Sequence, residues 1–158
     1  MNAAIRASTH DYVFATWREI FLTVWCDKTT VEGVQEGRRI FAEHLKANPS
    51  GVLVLTIVDE RAPMPDGEAR DALGELLKSG AKQTKKSAVV FEGAGFRAAA
   101  VRSVVTGITV FSRPPFPHKI FGTVDEATQF LEGEGMTAAQ LAGVIADVRK
   151  RHSAGSAP

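Results

Sequence analysis

The sequence predicts an α/β domain. It reads as a single mixed sheet of about five strands, opened by an antiparallel hairpin and continued by βα units. Helices are expected mainly on one face, with an extra helix at the C-terminus. Three observations carry this. Gly51–Val58 is a continuous run rich in Val, Leu and Ile, the pattern of a strand covered on both faces. Thr29-x-x-Glu32 and Thr123-x-x-Glu126 are capping-box signatures that open helices. Apolar strand-like runs alternate with segments of helical period, which is how a chain builds crossover units.

The elements follow in order. Tyr12–Trp17 and Glu19–Trp25 alternate aromatic, apolar and β-branched residues, and Trp17-Arg18-Glu19 joins them as a hairpin. The helix after Thr29 buries Val34, Ile40, Phe41 and Leu45, and Asn48-Pro49-Ser50-Gly51 stops it. After the central strand, Asp66 is placed to cap a helix whose inner face is Ala69, Leu73, Leu76 and Leu77. Ser87–Phe91 is a further short strand, and Gly93-Ala94-Gly95 opens a helix from about Phe96 to Gly107. Arg113–Pro117 is an extended proline-rich loop, His118–Phe121 a short strand, and Thr123 starts a helix burying Val124, Ala127, Phe130 and Leu131. Thr137 caps the last helix, with Leu141, Val144, Ile145 and Val148 inward.

Composition narrows the role. At 158 residues, with 44% apolar and 23% charged, the chain is one globular domain. A net charge of +1 argues against a dedicated nucleic-acid binder. One cysteine, Cys26, allows no internal disulfide, and neither a signal peptide nor a transmembrane run is visible, so a cytoplasmic location is expected.

Three phrases together resemble the STAS domain (sulphate transporter and anti-sigma-factor antagonist), in the branch related to the CRAL-TRIO lipid-binding fold. They are IFLTVWCDKTTVEGVQE, VLVLTIVDERAPMPDGEARDAL and HKIFGTVDEATQFL. The resemblance implies residues 1–10 as a flexible N-terminus and 11–132 as the STAS-like domain. Residues 133–152 would form an added helix and 153–158 a disordered tail. It further implies a cytoplasmic regulatory, signalling module of bacterial type, not an enzyme and without cofactor or metal. Such domains carry a regulatory serine at the start of the second helix; here that stretch is Met64-Pro65-Asp66-Gly67, and Asp66 stands where the hydroxyl is expected. A permanent carboxylate has about half the charge of a phosphate. Asp66 is then either a fixed-charge stand-in or only a helix cap.

The partner surface expected on this reading comprises Arg61, Met64, Asp66, Glu68 and Arg70, together with Arg113, an exposed Phe116 and His118 in the 112–118 loop. A homodimer through the outer face of the hairpin, at Tyr12, Phe14 and Phe21, is a second expectation. The alternative function is a small-ligand or lipid carrier of CRAL-TRIO type. A third is an enzyme using the acidic strand end, Asp59, Glu60, Asp66, Glu68 and Asp71, for acid–base or metal chemistry. Gly93, Gly95 and Ala98 match a G-x-G-x-x-A turn whose backbone N–H groups, with Lys85, Lys86 or Arg97, would offer a site to a small anion, although tight helix packing also explains the glycines. The four histidines show no metal spacing, His44 reads as surface, and Cys26 reads as a buried structural thiol.

Overall fold

The computed structural model describes residues 2–93, 99, 103, 114–133 and 135–155. Its elements are β1 (Ala4–Ser8), β2 (Tyr12–Trp17), β3 (Ile20–Trp25), α1 (Val31–Ala47), β4 (Val52–Val58), α2 (Gly67–Ser79), β5 (Thr84–Phe91), β6 (His118–Phe121), α3 (Val124–Leu131) and α4 (Ala138–Gly155). The strands form one six-stranded sheet in sequence order, antiparallel from β1 to β3 and parallel from β3 to β6. The predicted mixed α/β sheet is therefore present, with six strands instead of about five. The helix expected over Phe96–Gly107 lies almost wholly outside the described residues, as do Ser112 and Arg113 at the start of the loop before β6.

The added strand is β1. Its apolar residues are two alanines and Ile5, and its residues alternate between exposed and half-buried, so AIRAS gives little hydrophobic signal. Within the segment expected to be flexible, Ala4–Ser8 pairs with β2, Arg6 meets Glu43, and Arg151 donates to the Ala3 carbonyl at 2.7 Å.

Both faces of the sheet are covered, because alternate residues along each strand are apolar on either side. Val13, Ala15, Leu22, Val24, Leu55, Ile57 and Val90 pack against α3 and α4 through Leu131, Leu141, Ile145 and Val148. Phe14, Phe21, Trp25 and Val52 pack against α1 and α2. The described helices thus divide two and two, where the sequence reading places them mainly on one face. The reason is that α4 needs a sheet face for its own apolar stripe, and α3 follows β6 onto that same face. None of these helices is long and apolar enough to cross a membrane.

Local chemistry sets the helix starts. Thr30, not Thr29, caps α1, accepting from Gly33 N at 3.0 Å, one residue later than the sequence spacing implies. Thr123 caps α3, and Thr137 with Gln140 closes a reciprocal box at α4. In the hairpin, Arg18 takes φ +51, the left-handed backbone that a two-residue connection requires.

The aromatic cluster expected to drive a dimer is internal. Tyr12 stacks on Phe14 at 4.4 Å, and Phe14 and Phe21 are almost fully buried under α1. Gly37 lets the helix approach, since a Cβ there would sit 3.0 Å from the Phe14 ring. His44, expected at the surface, is 4% exposed beside Phe21. Its Nδ1 accepts from the Asn48 amide at 3.3 Å, which leaves Nε2 as the protonated nitrogen.

Two outcomes follow from this packing. A Cβ on Gly80 would drive into the buried Phe41 ring, so Gly80→Ala is expected to lower unfolding free energy by about 1–3 kcal/mol. Urea titration checks this, and in a Phe41→Leu background the loss should shrink. Burial also pushes the His44 imidazole below its usual range, with Glu19 and Arg6 the charged groups facing it. As pH falls below about 6.5 the unfolded chain takes up the proton first, so stability is full above that pH and declines below it. Urea midpoints at about pH 7.5 and pH 5 should show the decline, and His44→Gln should reduce it.

Candidate functional site

The carboxyl ends of the parallel strands place Cys26, Asp59 and Glu92 side by side, one after each of β3, β4 and β5. Asp59 is 9% exposed. Its Oδ1 accepts from the Arg61 backbone N–H and from Arg61 Nε, both at 2.9 Å, and its Oδ2 from Arg61 Nη2 and Arg149 Nη2, both at 3.2 Å. Arg149, on α4, also grips Glu92 with two bonds of 2.7 and 2.8 Å. Hydrogen bonding from Arg61 holds the Asp59 carboxyl below the usual range, and bonding to Glu92 raises Arg149. A carboxylate kept ionised by two arginines is a structural hub and a poor proton acceptor at neutral pH.

Cys26 lies beside this network. Its Sγ is 3.8 Å from His152 Nδ1, while His152 Nε2 donates to the Thr9 carbonyl at 2.8 Å. Burial, then the charge of Asp59, pushes the Cys26 thiol up, so it stays protonated at neutral pH. Among the described residues no group of three or more His, Cys, Asp or Glu side chains is arranged to hold a metal ion.

From this anchor the chain runs through a turn closed by Ala62 N to Asp59 O at 2.9 Å, and into α2. Asp66 caps α2, its Oδ1 accepting from Ala69 N at 2.9 Å. The carboxylate is thus committed to the helix start, which is worth about 1 kcal/mol. Between these fixed points Met64 stands between Pro63 and Pro65 and is 44% exposed, the single large apolar side chain so exposed among the described residues. Arg61, Asp66, Glu68 and Arg70 are exposed around it.

The other half of the expected surface lies elsewhere. Phe116 is 7% exposed, not presented to solvent, with its ring 6.4 Å from that of His118. Pro117 accepts from Ser87 N, and His118 pairs with Ser87, so this loop sits at the amino end of β6, opposite the Asp59 end. Arg113 lies outside the described residues, as do Gly95 and Arg97. Of the expected anion turn only Gly93 is described, with φ +112, and a Cβ on it would sit 3.0 Å from Glu60. Close packing at the turn accounts for this glycine.

Sequence reasoning missed a second feature, a cavity of about 120 Å³ between the sheet and α2. Phe21, Trp25 and Phe41 form one side, Leu73, Leu76 and Leu77 another, with Pro65 at the loop. Thr23, Thr56 and Ser87 interrupt the apolar strands there. The available signal was Thr23 and Thr56, hydroxyls in the middle of otherwise continuous apolar runs, with Ser87 at the head of another. Nothing comparable in the sequence marked Arg149, which reads as one more charge on the flank of an amphipathic helix.

No protein-family model matches the chain, and no curated protein matches it.

Arg149 fastens α4 to two strand ends. Because its side chain is about one-third exposed, Arg149→Met is expected to cost about 1–2 kcal/mol rather than the larger penalty of a fully buried pair. Native-state hydrogen exchange should show the loss first in α4 amides, and added salt should narrow the gap between variant and parent.

Proposed function

We propose that this chain is a non-enzymatic, STAS-like interaction module that docks a protein partner on the strand-loop-helix from Asp59 to Asp71. The observation that carries the reading is Met64: an exposed apolar side chain set between two prolines, on a loop anchored at both ends. A loop already held in one conformation loses little entropy on binding, and an apolar centre within a charged rim is the usual composition of a contact patch. Arg61, Glu68 and Arg70 form that rim. Asp66 serves as the helix cap, and its charge adds to the rim without acting as a switch. The resemblance of the VLVLTIVDERAPMPDGEARDAL stretch to the partner-binding segment of anti-sigma-factor antagonists supports the same surface. The commitment of Asp59 and Asp66 to structural hydrogen bonds favours docking over acid–base chemistry at this end of the sheet.

Affinity capture with the full chain, compared across variants, tests the proposal. Met64→Asp is expected to lower retention of a specific partner by about tenfold or more, the scale of a central contact residue. Asp66→Ser keeps a cap while removing the charge and is expected to have a smaller effect. Retention unchanged in both Met64→Asp and Arg70→Glu would remove this surface from consideration.

A further inference from the structure

The geometry points to the cavity between the sheet and α2 as a binding site for a small uncharged molecule, one apolar ring bearing a single hydrogen-bonding group. Its volume of about 120 Å³ is near that of an apolar protein cavity of about 150 Å³ that admits benzene. It therefore suits a ring. The aromatic and leucine walls offer dispersion contacts to a flat apolar body. The described lining residues include no Lys, Arg, Asp or Glu, which favours an uncharged ligand over an ionised one.

The polar groups define the ligand more closely. Thr23 pairs with Thr56 across β3 and β4, and Ser87 pairs with His118 across β5 and β6, so hydroxyls and an imidazole sit on neighbouring rungs of the sheet. Thr23 is 4% exposed and Ser87 1% exposed. Among the described residues His118 Nδ1 is buried without a hydrogen-bond partner, and the hydroxyl residues Thr23, Thr56 and Ser87 line the same cavity. A buried ring nitrogen is ordinarily satisfied, and an unmet one in a cavity wall, with hydroxyl residues beside it, is what a ligand donor or acceptor would meet. This site is independent of the Met64 surface, although Pro65 borders both.

The test uses the full chain and three probes, phenol, toluene and benzoate, followed by amide and methyl chemical shifts. Phenol is expected to bind saturably with shifts centred on Thr56, Ser87 and Val89, and at least about tenfold more tightly than benzoate, which is ionised. The nearly isosteric pair Thr56→Val and Ser87→Ala should abolish the preference for phenol over toluene while toluene still binds. Val89→Phe, which fills the space from the sheet, should abolish both; Val54→Leu is a milder filling variant if the larger one does not fold. Absence of saturable phenol shifts, benzoate binding as tightly as phenol, or a phenol preference that survives loss of both hydroxyls would overturn the assignment.

Discussion

The carboxylate of Asp59 is the constraint on which this architecture turns. It stands at the end of the central strand, nearly buried, and can remain ionised there only because two arginines reach it. One, Arg61, belongs to the loop that follows, and its bonds fix where that loop leaves the sheet. The other, Arg149, belongs to the last helix and brings it against β4 and β5 through Glu92. A single group thereby sets the loop that displays Met64 and the position of the C-terminal helix.

The sheet supplies the rigidity behind that hub. Its parallel half is apolar on both sides, so register is fixed strongly, because a slip of one residue would exchange the two packed faces. On the α1 and α2 side the packing relies on aromatic rings, and it is less uniform: three hydroxyls interrupt it and a cavity remains near α2. On the α3 and α4 side the packing is mainly aliphatic.

Much of this was legible in the sequence. The Gly51–Val58 run identified the central strand because burial on two faces leaves an unbroken apolar signature, and Asp66 was readable as a cap because a short acidic side chain ahead of a periodic run has few other uses. What escaped has physical reasons. β1 is an edge strand whose stability comes from backbone pairing and arginine contacts, neither of which shapes hydropathy. His44 looked exposed because a histidine on a helix flank carries no mark of what packs over it. Phe116 looked available because a proline-rich loop suggests a surface, yet its ring is buried. The Asp59–Arg149 pair joins residues ninety positions apart, beyond any local pattern.

At the carboxyl end of the sheet these features combine into one surface: an anchored loop, a capped helix start, and an apolar side chain held outward between prolines. Hydrogen–deuterium exchange of the full chain, alone and with its captured partner, tests that surface most directly. Protection confined to about residues 60–70 on partner binding is the result the docking surface requires. Protection elsewhere, with exchange in that segment unchanged, would contradict it.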